Sequence, residues 1–232
     1  MVYRFLNLFF PAKCAFCRKI LPAQQTDLCH DCRSSAPVFT KSKKRFSFIA
    51  GWTAVWYYKD TVRQSLLRYK FYHNRSYAPF YGRMLAMKLR EARLDDFDVL
   101  TWVPVSPLRK LRRGYDQSQL LAEAVAEELG VSAVACLKKV RHNRAQSSLQ
   151  QAPQRRANVK NAYRVLSPEE FKDKTVLLLD DIVTTGATAS ECARVLLTAG
   201  AEEVIFAAVA AAGTTTSKWV GVYHGIQFQK TS

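Results

Sequence analysis

Acidic residues are scarce in this chain, and it has no long apolar run. Its 232 residues include 19 Asp and Glu against 35 Lys and Arg, which gives a formal net charge of +16. No apolar run reaches the roughly 18 residues of a membrane-spanning helix, so the sequence predicts no membrane span. Residues 1–10 lack a small-residue cleavage site, and we expect a packed amphipathic helix there rather than a signal peptide.

The positive charge is unevenly distributed. Lys and Arg exceed Asp and Glu by 11 in residues 1–102 and by 8 in residues 103–164, whereas residues 165–232 carry a net charge of −3. This excess favours a polyanionic partner, either a pyrophosphate or a nucleic-acid backbone. A basic solvated surface without a partner is the alternative, and composition does not distinguish between them.

Four of the six cysteines lie close together near the amino terminus. Cys14 and Cys17 form one C-x-x-C pair, and Cys29 and Cys32 form a second. Two such pairs supply the four thiolates of a tetrahedral zinc site, so we predict a structural zinc ion here. A redox or disulfide pair is the alternative. The two remaining cysteines fall in apolar patterns and are predicted to be buried.

The chain divides into a small lobe, residues 1–45, and a larger domain, residues 46–232. The lobe ends in a basic stretch that we interpret as a linker. Strands are predicted at 52–58, 98–105, 175–182 and 203–210, and helices at 61–69, 80–93, 116–129 and 186–197. This alternation indicates an α/β domain with a largely parallel sheet. Residues 138–163 are rich in Lys and Arg and are predicted to form a long basic loop.

The stretch 176–190 is the most informative part of the sequence. An apolar run ends in Asp180 and Asp181, and a Thr- and Gly-rich loop then precedes a helical pattern. Ligands of parallel sheets bind beyond the carboxyl ends of the strands. Carboxylates suit the vicinal hydroxyls of a sugar, and amides at a helix N-terminus suit a phosphate. The predicted ligand is a ribose with a 5′-phosphate, and an ordinary strand–turn–helix is the alternative.

Further motifs follow one another in a distinctive order. They are Tyr-Lys-Phe at 69–71, Pro-Val-Ser-Pro at 104–107, Arg-Gly-Tyr-Asp-Gln at 113–117 and Arg-x-x-Asn at 155–158. Together with the double C-x-x-C and the Asp-Asp loop, they resemble the ComF family of phosphoribosyltransferase-like proteins associated with bacterial competence. The resemblance covers nearly the whole chain. It departs from the family at Asp116, where Asn is common.

The resemblance implies a type I phosphoribosyltransferase-like fold that binds phosphoribosyl pyrophosphate (PRPP) with Mg²⁺. Asp180 and Asp181, the expected catalytic residues, would hold the ribose hydroxyls, partly through Mg²⁺. The expected PRPP and phosphate contacts are Thr184, Thr185, Gly186, Ala187, Thr188, Val105, Ser106 and Arg109. The expected polyanion contacts are Lys70, Arg112, Arg113, Arg141 and Arg155. At Lys70 a solvated helix-end cation is the alternative. Tyr115 is expected to pack in the core, with base stacking as the alternative.

Two functions remain open at this stage. One is a binding module that acts in DNA uptake, with single-stranded DNA and a competence ATPase translocase as partners, in the cytoplasm or at the inner face of the membrane. The other is an active phosphoribosyltransferase of nucleotide metabolism that transfers ribose 5-phosphate to an unknown acceptor. In both cases the adjacent carboxylates are expected to act as a diol and metal clamp, because neighbours in sequence cannot flank a sugar from opposite sides.

Overall fold

The computed structural model describes five stretches of the chain, residues 11–22, 25–40, 42–72, 74–141 and 159–213. The helix predicted for residues 1–10, most of the predicted basic loop with Arg155, and the tail beyond residue 213 lie outside them. Within these stretches no helix is both long enough and apolar enough to cross a membrane.

Strands and helices alternate along the larger domain, as the sequence predicts. The strands are β1 (Trp52–Tyr57), β2 (Val99–Trp102), β3 (Leu137–Lys139), β4 (Tyr163–Val165), β5 (Thr175–Val183) and β6 (Glu203–Ala211). The helices are α1 (His30–Ser35), α2 (Asp60–Phe71), α3 (Ala78–Ala92), α4 (Pro107–Arg113), α5 (Gln117–Leu129) and α6 (Ala187–Thr198). The sequence did not predict α4, and the ends of the predicted basic loop belong to β3 and β4, which pair antiparallel.

Four strands form a parallel sheet in the order β1-β6-β5-β2. Leu179 of β5 lies between Ala207 of β6 and Trp102 of β2. The two central strands are almost wholly apolar along their length, which is typical of strands covered on both faces. Because β2 and β5 are parallel neighbours, the residues that follow them meet at one edge of the sheet.

Helices cover both faces of the sheet. Leu177 and Leu179 pack into the same core as α3 and α5, whereas Leu178 faces α6 and the β3–β4 pair. Gly82 brings α3 against α5, since a Cβ atom at Gly82 would lie 2.6 Å from the Cβ of Ala124. Only a residue without a side chain permits this approach, so Gly82 sets the distance between the two helices.

The cysteine lobe packs directly on the larger domain. The ring of Phe16 lies edge-on to Trp56, with their centroids 5.2 Å apart. Ser65 Oγ donates to the carbonyl of Ala15 at 2.6 Å, and Arg68 donates to the same carbonyl at 3.0 Å. The division of the chain near residue 45 stays a prediction, but the two parts share a buried core, and β1, α2 and α3 all contact the lobe.

Candidate functional site

A cavity of about 580 Å³ opens at the carboxyl ends of β2 and β5. Its wall contains the carboxylates of Asp180 and Asp181. Six cationic side chains line it as well, those of Arg63, Lys70, Arg109, Arg112, Arg113 and Lys139. The cavity therefore carries an excess of positive charge, which favours an anionic ligand.

Asp181 is the more enclosed of the two carboxylates in this cavity. Its side chain is 2% exposed, and its Oδ1 lies 2.9 Å from Nζ of Lys70. Its Oδ2 is buried without a hydrogen-bond partner. Buried carboxylate oxygens are normally satisfied, so this atom indicates a place for a ligand or a cation. Lys70 is thus an ion-pair partner at the end of α2, and the alternative of a solvated helix-end cation is wrong.

Asp180 points to the other side of β5 and is half-buried. Its Oδ1 accepts hydrogen bonds from Ser118 Oγ at 3.1 Å and from the backbone N–H of Asp181 at 2.8 Å. Burial, and then the charge of Asp181, raise the pKa of Asp180 well above its ordinary range. Both carboxylates lie inside β5, which continues to Val183, so they do not end the strand.

The loop after β5 leads directly into α6. Gly186 has φ +78° and precedes the first residue of the helix, and Thr185 Oγ1 accepts from the N–H of Ala187 at 3.4 Å. Thr184, Gly186, Ala187 and Thr188 line the cavity, whereas Thr185 does not. The first turn of a helix exposes backbone N–H groups and the positive end of its dipole, so this loop can hold a phosphate.

The basic stretch near residue 45 contacts this loop, which the sequence did not predict. Lys44 Nζ donates to the carbonyl of Thr184. The ring of Phe46 lies where a side chain at Gly186 would be, since a Cβ there would come within 2.1 Å of it. Trp52 Nε1 donates to the carbonyl of Lys44 at 2.8 Å and fixes the stretch in place. The interpretation of this stretch as a plain linker therefore misses its packing role.

Asp116 joins the turn after β2 to the start of α5. Its Oδ1 accepts from the N–H groups of Ser118 and Gln119 at 3.0 and 3.1 Å, and its Oδ2 accepts from the N–H of Val105 at 3.0 Å. Burial raises the pKa of Asp116, and the three N–H donors oppose that rise. Asp116 thereby holds Val105 at the cavity wall and Ser118 in reach of Asp180.

The remaining predicted contacts divide into those at the cavity and those away from it. Arg109, Arg112 and Arg113 line the cavity. Arg113 also donates to Gln117 Oε1 at 2.8 Å and stacks over the ring of Phe71. Ser106 is buried before α4, outside the lining, and Arg141 is exposed away from it.

Lys139 and Tyr163 are among the residues of the cavity wall that the sequence analysis missed. Lys139 Nζ donates to the hydroxyl of Tyr163 at 3.1 Å, and both residues line the cavity. Burial lowers the pKa of Lys139, and the charge of Arg109 lowers it further. The only signal in the sequence was a basic, weakly apolar segment, which favours a loop rather than a strand pair.

Buried tyrosines fix the end of α2 beside the cavity. Tyr69 donates its hydroxyl to the carbonyl of Gln117 at 2.7 Å, and Tyr115 donates to the carbonyl of Tyr69. Both rings are almost fully buried. This is the core packing that was predicted for Tyr115, and it sets the backbone position of Lys70.

The four cysteines of the lobe form one cluster. One sulfur atom from each of Cys14, Cys17, Cys29 and Cys32 lies within 4.8 Å of the other three. The Cys17 and Cys29 sulfurs are 3.6 Å apart, close to the edge of about 3.8 Å that four Zn–S bonds of about 2.3 Å define in a tetrahedron. All six cysteines of the chain are free thiols, and Cys136 and Cys192 are buried as predicted. Burial raises the pKa of the Cys29 and Cys32 thiols, and a dication would reverse that effect.

Comparisons with known families agree with both parts of the structure. Residues 116–230 match the phosphoribosyl transferase domain family, and residues 5–43 match the double zinc ribbon domain family. The chain thus has an α/β fold of the type I phosphoribosyltransferase class with an amino-terminal four-cysteine lobe. The zinc ribbon match and the cysteine cluster together support a structural zinc ion.

Three similar proteins match between 58% and 84% of this chain. Competence protein F of Haemophilus influenzae is 28% identical over 219 residues, which cover 84% of this chain and 95% of the relative. Competence protein ComFC of Streptococcus pneumoniae is 30% identical, over 65% of this chain and 64% of the relative. The DNA utilization protein YhgH of Salmonella typhimurium is 34% identical over 58% of this chain and 60% of the relative. These similarities confirm the resemblance to the ComF family that the sequence motifs predict.

Parts of two solved structures are similar to part of this chain. The allosteric regulatory enzyme of purine biosynthesis is 23% identical, with a TM-score of 0.42 over 62% of this chain and 30% of that structure. A phosphoribosylpyrophosphate synthetase from Mycobacterium smegmatis is 23% identical, with a TM-score of 0.35 over 55% of this chain and 33% of that structure.

Proposed function

We propose that this protein binds PRPP, or a related phosphorylated ribose, together with Mg²⁺ in the cavity beside β5. The single observation that carries the proposal is the unpartnered, buried Oδ2 of Asp181 in a cavity that the loop 184–188 also lines. One ligand with a diol and a 5′-phosphate matches both features. The 5′-phosphate would lie on the loop before α6, and the diol would lie on the carboxylates.

The donor set suits magnesium. Mg²⁺ prefers carboxylate oxygens together with ligand oxygens and waters, and Asp180 and Asp181 supply oxygens of this kind. When bound, the ion would neutralise charge on a pyrophosphate. The cavity's own cations, with Arg109 and Arg113 among them, would hold the pyrophosphate beside residues 105–109.

Calorimetric titration with PRPP, with and without Mg²⁺, tests the proposal. Wild-type protein should bind PRPP, and Asp181→Asn should bind at least about tenfold more weakly, because a charge-assisted hydrogen bond is lost. Asp96→Asn is the matched control, since Asp96 is exposed away from the cavity and should leave the affinity unchanged. Wild-type protein that ignores PRPP at millimolar concentration, or an Asp181→Asn variant that binds normally, would refute the proposed ligand.

We further propose that the protein acts in DNA uptake during natural competence, as the names of its relatives suggest. Competence protein F of Haemophilus influenzae aligns over 95% of its length, which permits a replacement experiment. Cells that lack that protein should regain transformation when they express this chain and should not regain it with Asp181→Asn. Equal expression of both forms, checked by immunoblot, is the control, and transformation that wild-type protein does not restore would contradict the role.

Single-stranded DNA and an ATPase translocase are the partners we propose for that role. The net charge of +16 favours a long polyanion. If single-stranded DNA binds through phosphate contacts, its affinity should fall with salt at a log–log slope of about −0.7 for each neutralised phosphate. A flat salt response would exclude this mode. Coprecipitation of the translocase with tagged protein from competent cells would test the second partner.

Transfer of ribose 5-phosphate to an acceptor is the second candidate function. Arg109, Arg113 and Lys139 lie on the cavity wall, where they could stabilise charge on a leaving pyrophosphate. Release of pyrophosphate from PRPP in the presence of nucleobases or ammonia measures this activity. The same assay with Lys139→Met separates transfer at this site from spontaneous hydrolysis.

A further inference from the structure

We propose that Lys70 controls access of a divalent cation to the cavity. Its ammonium group is paired with the Asp181 carboxylate while the cavity is free of ligand. A divalent cation binds that carboxylate only together with an anionic ligand. The ligand half of this inference rests on the proposed function, whereas the exclusion half concerns Lys70 and Asp181 alone.

The ion pair between Lys70 and Asp181 lies in the cavity wall, at a carboxylate that a cation would bind. Lys70 Nζ lies 2.9 Å from Asp181 Oδ1, and the two side chains are 20% and 2% exposed. A pair so shielded from solvent is weakly screened by salt. The ammonium group therefore neutralises one of the two carboxylates that a cation would need.

The backbone beneath Lys70 is fixed from two sides. Tyr69 is anchored to the first residue of α5 through its hydroxyl, and its carbonyl accepts from Tyr115. Arg68, on the preceding position, donates to the carbonyls of Ala15 and Phe16 in the lobe. The end of α2 is therefore held in place, and only the flexible side chain of Lys70 can move away from Asp181.

The rest of the cavity also disfavours a free dication. Arg109, Arg113 and Lys139 line the same space as Lys70. A dication alone would add two positive charges to this set, and one of the carboxylate oxygens it would need, Asp181 Oδ1, is already paired with Lys70. A phosphorylated ribose brings negative charge and further oxygen ligands, so metal and ligand should bind with positive cooperativity.

Electron paramagnetic resonance of Mn²⁺, as a stand-in for Mg²⁺, measures the exclusion directly. We expect Lys70→Met to bind Mn²⁺ at least about tenfold more tightly than wild-type protein, because the competing charge at Asp181 is gone. Lys110→Met is the matched control, since Lys110 lies on α4 outside the cavity lining and the charge change is the same. Adding Asp181→Asn to Lys70→Met should abolish the gain. Lys70→Gln serves if Lys70→Met does not fold, and Lys70→Arg should keep the exclusion.

Ribose 5-phosphate is the probe for the ligand half. It should tighten Mn²⁺ binding to wild-type protein by about tenfold or more. This enhancement should shrink in Lys70→Met, because Mn²⁺ then gains the Asp181 carboxylate without the help of the ligand. The inference is overturned if the Lys70 variants bind Mn²⁺ no better than wild-type protein and Lys110→Met. It is also overturned if ribose 5-phosphate binds to wild-type protein and leaves its affinity for Mn²⁺ unchanged. If the Lys70 variants gain an Mn²⁺ site but ribose 5-phosphate binds to none of the proteins, the exclusion by Lys70 is supported and the proposed function fails.

Discussion

Replacing Asp116 by alanine removes the acceptor of three backbone N–H groups at once. Two of these groups begin α5, and the third belongs to Val105 at the cavity wall. Loss of a helix cap costs about 1 kcal/mol, and an unsatisfied, partly buried N–H costs about 1–3 kcal/mol. We therefore expect Asp116→Ala to lower the free energy of unfolding by about 2–4 kcal/mol.

Asp116→Asn separates the loss of the α5 cap from the loss of the hydrogen bond with Val105. An asparagine has one side-chain oxygen, so it can cap α5 or accept from Val105 but cannot do both well. We expect a loss of about 1–2 kcal/mol. The affinity for PRPP should fall in this variant as well, because the turn at Val105 is no longer tied to α5.

Urea unfolding followed by circular dichroism measures the free energy of unfolding, and calorimetry measures the affinity for PRPP. The control is Asp96→Ala, a change at an exposed aspartate that should stay within about 0.5 kcal/mol of wild-type protein. The reasoning is refuted if Asp116→Ala is as stable as this control, or if Asp116→Asn is destabilised as much as Asp116→Ala.

Three other changes give further checks. Gly82→Ala places a Cβ 2.6 Å from the Cβ of Ala124 and 2.8 Å from its carbonyl carbon. Urea unfolding should show a net loss of about 1–2 kcal/mol, since overpacking outweighs the gain in helix propensity, and a stabilised variant would contradict the packing. The folded protein binds the Asp180 proton more tightly than the unfolded chain, so the contribution of Asp180 to stability falls as pH rises from the ordinary pKa through the raised one. Thermal unfolding should therefore show that Asp180→Asn is more stable than wild-type protein, by a margin that grows between about pH 5 and about pH 8. A margin that shrinks over this range would show that the pKa of Asp180 is lowered rather than raised. Cys14→Ser should reduce the zinc content from about one ion per chain and unfold the lobe, whereas Cys136→Ala should retain zinc; metal analysis that finds no zinc in folded wild-type protein would overturn the site.

The sheet and the loop between β5 and α6 could be predicted because their signals are local. β5 begins with an apolar run that leads into Asp180 and Asp181, and the loop that follows the strand contains its threonines and glycine within a few residues. The helix α5 has an apolar face and a glycine after its last residue. In such segments the chain's near neighbours decide the structure, and a single sequence contains all of that information.

The contacts that shape the cavity could not be predicted, because they join distant parts of the chain. Lys44 meets Thr184 across 140 positions, and no periodicity encodes such a meeting. The pairing of Lys70 with Asp181 is of the same kind. The helix α4 was missed for another reason, since Leu108 and Leu111 are exposed and leave no apolar face to detect.

The position of α2 has a practical consequence for dissecting this protein. Arg68 relies on carbonyls of the cysteine lobe, and its Nε is buried without a partner of its own. In a truncated chain without the lobe, the guanidinium of Arg68 would lose those acceptors, and Arg68 lies two residues before Lys70. A chelator that removes zinc from the four cysteines would disturb the same acceptors, and it would therefore affect ligand binding without contacting the cavity.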